Sequence, residues 1–218
     1  MKESFKALWR EEKARMLVSS AVILLPMLVG MLMWTRLPDP MARHFGLDNQ
    51  PNGWSSKAFT VFGMPLLLLA LHWLAMTATR WQHKELSPRV RTLLAAIIPG
   101  TSLLVMGICY GYALGAPLAV DRIVWGFIGL LFAAVGNYLP KTRPNSVAGI
   151  RLRCTMSDEQ VWRRTHRFAG PVWVVCGLMI AVCGLIGTDP AIPIAAIAVM
   201  LAAALLYPLA ISRGKRAR

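Results

Sequence analysis

The chain has 218 residues, of which 56% are hydrophobic and only 16% are charged, and its mean hydropathy is +0.51. A soluble domain of this length cannot bury so much apolar surface in one core, whereas a lipid bilayer accepts it. The composition therefore excludes an ordinary soluble protein and favours a polytopic membrane protein.

Six hydrophobic runs are long enough, or nearly so, to cross a hydrocarbon layer of about 30 Å at about 1.5 Å per residue. We therefore predict an all-α fold with six transmembrane helices. The fifth run is short, and we expect its helix to begin earlier, near Phe168. The first run contains Pro26 and lacks a small-residue cleavage site, so we expect it to stay as a helix. The predicted spans are Met16–Trp34, Phe59–Thr79, Leu93–Leu114, Ile123–Leu139, Val172–Ile186 and Ile192–Ile211.

The basic residues are distributed unevenly between these spans. Of the 24 Lys and Arg residues, 20 lie in the segments that share a side with the amino terminus. Because Lys and Arg favour the cytoplasmic face, both termini and the segment 140–170 are predicted to be cytoplasmic, and the loop 35–58 is predicted to face outward. The chain has a net charge of +14, and its basic residues lie in the segments next to the membrane spans. We therefore expect anionic lipids as partners and do not expect direct nucleic-acid binding.

The chain divides along these lines into four parts. Residues 1–15 are predicted to form an amphipathic cytoplasmic helix with Phe5, Leu8 and Trp9 on its apolar edge, although a solvated arm is the alternative. The parts are the amino-terminal helix 1–15, the first two spans with their outer loop at 16–80, the other four spans at 93–211 with a polar segment at 136–170, and a basic tail at 212–218.

No pattern for catalysis or metal binding is found in the sequence. None of the four Cys lies in a predicted outer loop, so no structural disulfide is expected. Asp39, His44 and Asp48 have no recognised ligand spacing. No catalytic motif appears, and we expect no catalytic residue, no metal, no cofactor and no enzymatic activity.

The predicted outer loop contains three prolines, which exclude a long helix, and Asn52-Gly53, which favours a tight turn. His44, Phe45 and Trp54 are amphipathic or aromatic groups of the kind found at membrane interfaces. Two interpretations stay open. The loop is either an ordinary turn with aromatic belt residues or a small folded unit that meets a molecule arriving from outside.

Within the spans, His72 is the one ionisable group that suggests a function by its position, although a hydrogen bond to a neighbouring helix is the simpler account. Small residues at regular spacing in two of the spans predict faces that pack against another helix. The helix could belong to the same bundle or to a second copy of the chain. The small residues are Gly107, Gly111 and Gly115 in the third span, and Ala195, Ala198 and Ala202 in the sixth.

The segment 140–170 is predicted to end in a short amphipathic helix that leads into the fifth span. Ser157 and Gln160 are spaced as a capping box at its start, and Glu159 and Arg163 as a favourable pair. Trp162 and His166 share one helix face, and we expect Trp162 to anchor in the membrane interface.

Arg151 has two interpretations. It is either one of the arginines that reach toward phosphates on the cytoplasmic side, or a member of a polar cluster that fixes the segment or binds an anionic group or a protein partner. The proposed cluster comprises Asn137, Asn145, Arg151, Thr155, His166 and Arg167.

The spacing of polar residues and glycines in the segment 136–170 resembles the signature of the SdpI family, bacterial membrane proteins typified by an immunity protein against the SdpC toxin. The matching residues are Gly136-Asn137-Tyr138, Pro140-Lys141, Pro144-Asn145, Gly149-Ile150-Arg151, Thr155, Val161-Trp162, Thr165-His166-Arg167 and Gly170. The outer loop resembles the domain of unknown function that often precedes this signature, through Leu37-Pro38, His44-Phe45-Gly46, Pro51-Asn52-Gly53 and Ser56-Lys57. Leu152-Arg153-Cys154 departs from the family pattern.

The resemblance implies a multi-pass protein of the bacterial cytoplasmic (inner) membrane that neutralises an extracellular antimicrobial peptide toxin. It also implies a relay to a cytoplasmic repressor. A small transporter or lipid-handling protein is the alternative. The implied toxin-facing residues are His44, Phe45, Asn52, Gly53, Trp54 and Lys57, and the implied cytoplasmic cluster consists of Asn137, Pro140, Asn145, Gly149, Arg151, Thr155, Trp162, His166, Arg167 and Gly170.

Overall fold

The computed structural model describes residues 2–81 and 86–216, with side chains described for residues 12–79 and 86–214. Six of the described helices are long and apolar enough to cross a membrane, which confirms the all-α, multi-pass class. The elements are α1 Lys2–Leu32, β1 Met41–Phe45, β2 Pro51–Ser55, α2 Met64–Trp81, α3 Pro88–Ala113, α4 Val120–Tyr138, α5 Arg153–Ser157, α6 Glu159–Ile186 and α7 Ala191–Arg216.

α1 combines the predicted amino-terminal helix and the first span in one continuous helix. The predicted apolar edge of Phe5, Leu8 and Trp9 lies outside the described side chains. α6 likewise begins at Glu159 and continues to Ile186, so the expectation that the fifth span starts within the polar segment is confirmed.

The chain forms two units. The first comprises Met1–Ala78 and Leu94–Leu118, and the second comprises Thr79–Leu93 and Ala119–Arg218. In the first unit, hydrogen bonds join neighbouring helices: the Ser102 hydroxyl donates to the Ile23 carbonyl at 3.1 Å, and the Tyr110 hydroxyl donates to the Pro26 carbonyl at 2.9 Å. Such bonds stabilise helix packing where lipid supplies no hydrophobic drive.

The predicted outer loop contains an antiparallel hairpin of β1 and β2. The tight turn predicted at Asn52-Gly53 is wrong, because both residues lie inside β2 and Gly53 pairs with His44. The chain instead reverses between Gly46 and Gln50, where Asn49 adopts a positive φ of 60°. Asn tolerates this left-handed conformation, as Gly does, so the reversal is stable with Asn49 in that place.

In the second unit, α4 and α6 pack at the distance that only glycine permits. A Cβ on Gly177 would lie 2.7 Å from the Gly129 carbonyl oxygen, and one on Gly184 would lie 2.5 Å from the Gly126 nitrogen. Gly136 is blocked in the same way by the backbone of Val174 at 2.7 Å. The seven-residue spacing of Gly170, Gly177 and Gly184 is the sequence signal of this contact.

The small-residue faces predicted from the sequence do not pack against another helix within the described part of the chain. In the third span, a Cβ on Gly107 or Gly115 would meet no described atom within 4 Å, and Gly115 lies beyond the end of α3 with φ +78°. In the sixth span, Ala195, Ala198 and Ala202 are exposed, and the packed face carries Ala196, Met200 and Ala204. Packing of these faces against another helix of the same chain is therefore not observed for the described residues, and packing between two copies of the chain stays a prediction.

Candidate functional site

The hairpin is seated on the helices of its own unit by apolar contacts. Met41 at the start of β1 is fully buried and packs in one cluster with Leu37, Val61 and Met106. Burial of a side chain such as Met41 contributes roughly 1.5–3 kcal/mol relative to exposure. At the far end of β1, the Phe45 ring meets the Tyr112 ring edge to face, with centroids 5.0 Å apart. The hairpin is therefore a docked unit, which supports the folded-loop interpretation.

Lys57 closes the loop that carries the hairpin. Its ammonium group donates to the carbonyls of Trp34 at 3.2 Å and Leu37 at 3.1 Å, and lies 4.7 Å from the centre of the Trp34 ring. Its backbone N–H donates to the Asp39 carboxylate at 3.0 Å. Lys57 therefore joins the two ends of the loop, and its charge is directed toward the protein.

The exposed surface of the hairpin is a mixture of apolar and polar groups. Leu47 in the turn is 61% exposed and Trp54 in β2 is 48% exposed. His44 and Asn52 are also exposed, and the His44 ring nitrogen lies 2.5 Å from the Asn52 amide oxygen. Gly53 faces His44, whose Cβ lies 2.8 Å from the position of an added Cβ. Of the predicted toxin-facing residues, Trp54, His44 and Asn52 are thus presented outward.

The other three residues of that prediction hold the hairpin in place. Phe45 packs on Tyr112, Gly53 makes room for His44, and Lys57 closes the loop. Among the described residues no group of three or more His, Cys, Asp and Glu could hold a metal ion, so Asp39, His44 and Asp48 do not converge.

In the second unit, Asn145 folds the loop that follows α4. Its side chain is buried, and its amide oxygen accepts the N–H groups of Val147 at 2.9 Å and Ala148 at 2.7 Å. Its NH₂ group donates to the carbonyls of Arg143 at 2.7 Å and Ala148 at 2.9 Å. All four hydrogen-bonding positions of the amide are used, which is typical of a residue that fixes a turn.

Trp162 and His166 attach this loop to α6. Their rings stack with centroids 4.1 Å apart, and both side chains are buried. The Trp162 indole N–H donates to the Thr142 carbonyl at 3.0 Å, and the Ile150 backbone N–H donates to His166 at 2.9 Å. The prediction of one shared face is confirmed. The predicted interfacial anchor is wrong, because Trp162 is packed under the loop.

Gly149 permits the close approach of the loop to these rings. Its φ is +129°, and a Cβ there would lie 2.6 Å from the His166 Nε2 atom and 2.8 Å from the Trp162 ring. Thr155 fixes the next stretch, because its hydroxyl lies 2.8 Å from both the Ile150 carbonyl oxygen and the Leu152 nitrogen. The sequence thus places a glycine where no side chain fits.

The start of α6 differs from the predicted capping box. Asp158 is the capping residue, and its carboxylate accepts the N–H groups of Gln160 at 2.7 Å and Val161 at 3.2 Å. Ser157 is the last residue of α5 and does not cap α6. An Asp at this position satisfies free amides and also meets the positive end of the helix dipole. The predicted pair of Glu159 and Arg163 is present at 3.9 Å.

The polar cluster predicted around Arg151 forms only in part. Asn145, Thr155 and His166 are buried, and the latter two bond the backbone of Ile150. Arg151 is exposed and donates to the Ser146 carbonyl.

Two further members of that prediction lie outside the cluster. Asn137 is exposed and accepts a bond from Lys141 at 3.1 Å, and Arg167 is exposed on the opposite face of α6. Pro140 packs against Gly170, where an added Cβ would lie 2.5 Å from the proline ring. The role of the Thr142 carbonyl could not be predicted from the sequence, because a backbone acceptor has no residue signature.

Two family models match this chain. Residues 141–212 match the SdpI/YfhL protein family, and residues 21–69 match a domain of unknown function, DUF1648. The first match contains the loop held by Asn145, Trp162 and His166, and the second contains the hairpin. The chain carries an SdpI/YfhL family region.

Two relatives from Bacillus subtilis strain 168 are similar to this chain. The immunity protein SdpI is 27% identical over 192 residues, which cover 85% of this chain and 89% of the relative. The uncharacterized protein YfhL is 31% identical over 64 residues, which cover 29% of this chain and 58% of the relative. No solved structure matches the chain.

Proposed function

We propose that this protein confers immunity on a bacterium by neutralising an antimicrobial peptide toxin at the outer face of the cytoplasmic membrane. The observation that carries the proposal is the similarity to an immunity protein over most of both chains. The role is proposed to be binding without catalysis.

The hairpin is the surface that we assign to the toxin. It presents Leu47 and Trp54 from a backbone seated on buried Met41 and closed by Lys57. Exposed aromatic and aliphatic groups on a rigid support suit a membrane-active peptide, because they provide apolar contact without an ordering cost in the receptor. The uneven charge of the sequence predicts that this loop faces outward.

The test is survival of a Bacillus subtilis strain that lacks its own SdpI and is exposed to SdpC-type toxin. Wild type is compared with the double variant Leu47→Ser and Trp54→Ser at matched membrane levels. We expect protection by wild type and at least a tenfold loss of surviving cells with the double variant. The control is Leu206→Ser, which changes a similarly exposed leucine of α7. Equal protection by all three chains contradicts the assignment to the hairpin, and absence of protection by wild type contradicts the immunity proposal.

A relay to a cytoplasmic repressor is the second part of the proposal. Support comes from the exposed Arg151 on a loop whose backbone is fixed by Asn145, Thr155 and His166. An arginine held outward on a rigid loop suits recognition of an acidic protein surface. In a strain with a reporter under the toxin-responsive repressor, Arg151→Gln should abolish induction by toxin while survival stays at the wild-type level. Loss of both together contradicts separate toxin and relay surfaces.

A further inference from the structure

A cavity of about 410 Å³ lies between the loop that follows α4 and the first turns of α6. Three cationic side chains line it, those of Lys141, Arg143 and Arg163, together with one carboxylate, that of Glu159. The wall therefore carries an excess of two positive charges. Such a concentration of charge around one cavity indicates an anionic ligand.

Most of this positive charge is not neutralised within the described part of the chain. The Arg163 guanidinium and the Glu159 carboxylate lie 3.9 Å apart, and their side chains are 66% and 64% exposed. An ion pair exposed in this way is weak, so Arg163 can leave Glu159 and bind a ligand. Lys141 donates to Asn137, which leaves two of its three ammonium hydrogens. The Arg143 guanidinium has no hydrogen-bonding partner among the described residues, although the Arg143 backbone carbonyl accepts from Asn145.

The backbone around the cavity is fixed before any ligand arrives. The Trp162 indole holds the Thr142 carbonyl, the Thr142 hydroxyl donates to the Leu139 carbonyl at 2.7 Å, and Asn145 holds the carbonyl of Arg143. A prearranged wall lowers the ordering cost of binding. The cavity is thus a built feature of the loop.

The position of the cavity identifies the source of the anion. Its wall begins at Pro140, two residues after the membrane-spanning α4 ends at Tyr138. The Lys141 ammonium lies 5.3 Å from the Tyr138 ring, on the last turn of α4. Tyrosine and lysine at a helix end are typical of the headgroup level of a bilayer. A phosphate bound here is therefore at the depth of lipid headgroups.

We propose that this cavity binds the phosphate of an anionic phospholipid such as phosphatidylglycerol. Arg143 and Arg163 present planar forks that match phosphate oxygens, and Lys141 adds a point charge at the membrane side. Free inorganic phosphate offers the same chemistry but lacks acyl chains that would hold it at this level. The site goes beyond immunity, since it gives the SdpI/YfhL loop a lipid ligand of its own.

The test is binding of short-chain phosphatidylglycerol to the purified full chain in a neutral detergent, followed by thermophoresis. We expect Arg143→Gln and Arg163→Gln to raise the Kd about fivefold to tenfold each, since each removes a cation close to the phosphate. The matched controls are Arg153→Gln and Arg164→Gln. These two variants remove the same charge from exposed arginines that do not line the cavity. Their Kd for phosphatidylglycerol should stay within about twofold of the wild-type value.

Three outcomes overturn the proposal. An equal loss of affinity for phosphatidylglycerol in all four variants indicates that the lipid binds a diffuse electrostatic surface. Competition by inorganic phosphate at the concentration of the lipid itself assigns the cavity to a free anion. Binding of an acidic octapeptide that depends on Arg143, with no binding of phosphatidylglycerol, assigns it to a protein partner. Circular dichroism of each variant verifies that the helices are retained, and short-chain phosphatidylcholine serves as the uncharged lipid.

Discussion

His166 and the backbone of Ile150 form a hydrogen bond of 2.9 Å, and its direction fixes the state of the imidazole. A backbone N–H can only donate, so His166 Nε2 is the acceptor and carries no proton. The Nδ1 atom, 2.9 Å from the Trp162 carbonyl oxygen, then carries the proton and donates it. His166 is held as one neutral tautomer with both nitrogens used. It is therefore a structural group of the loop that follows α4, and neither of its ring nitrogens is left to act as a base toward Cys154.

Replacement of His166 by Ala should release the loop. The buried N–H of Ile150 would lose its acceptor, at a cost of about 1–3 kcal/mol in the free energy of unfolding. We expect faster hydrogen–deuterium exchange at the Ile150 amide and a lower Tm in detergent. His166→Gln supplies an amide oxygen and should restore part of the protection. Unchanged exchange at Ile150 in the Ala variant would contradict the assigned bond.

Much of the fold could be predicted from the sequence, because the bilayer imposes a length and an apolar composition on every span. All six predicted spans are present as helices, and α6 begins within the polar segment as expected. The hairpin was missed because its strands are short, and because Asn52-Gly53 resembles a turn although it lies within a strand. The contact between α4 and α6 was missed because the third span offers a more familiar glycine spacing.

Less of the candidate site could be predicted. Residue type and spacing placed Asn145, Thr155 and His166 together, and all three are buried in the loop between α4 and α6 or against it. The same reasoning grouped Arg167 and Asn137 with them, but sequence spacing does not reveal which way a side chain points from a helix. The family resemblance implied that Lys57 faces the toxin, whereas its ammonium group donates to two backbone carbonyls of the same loop.

Gly129→Ala should destabilise the second unit. The added methyl group would fall 2.6 Å from the Gly177 carbonyl oxygen, so α4 and α6 would have to separate. Overpacking of this kind costs about 1–3 kcal/mol. Unfolding by titration with a denaturing detergent measures the effect. Gly126→Ala is the matched control on the same helix, because a Cβ there meets no described atom within 4 Å. A loss of the same size in the control contradicts the close packing at Gly129.

His72 and Ser19 should show an energetic coupling in the first unit. His72 is fully buried, and its Nε2 atom lies 2.7 Å from the Ser19 hydroxyl on α1. A double-mutant cycle of His72→Phe and Ser19→Ala should give a coupling energy of about 0.6–2 kcal/mol, the range found for such bonds between membrane helices. The control cycle pairs His72→Phe with Ser102→Ala, whose hydroxyl donates elsewhere, and it should be additive within about 0.5 kcal/mol. Additivity in both cycles contradicts the bond.

Lys57→Met should loosen the hairpin and leave the helices in place. The substitution keeps a flexible side chain but removes the charge that binds the carbonyls of Trp34 and Leu37. Hydrogen bonds of a charged donor contribute about 1.5–3 kcal/mol, so the docked state of the hairpin should lose a similar amount. Limited proteolysis between Gly46 and Gln50 should become several-fold faster, while the helical circular dichroism stays unchanged. Arg43→Met is the control, since Arg43 is exposed and its one bond to another described residue is to the Trp54 carbonyl at 3.3 Å. If Lys57→Met and the control are cleaved at the wild-type rate, Lys57 does not hold the loop closed, and its charge is available for a ligand after all.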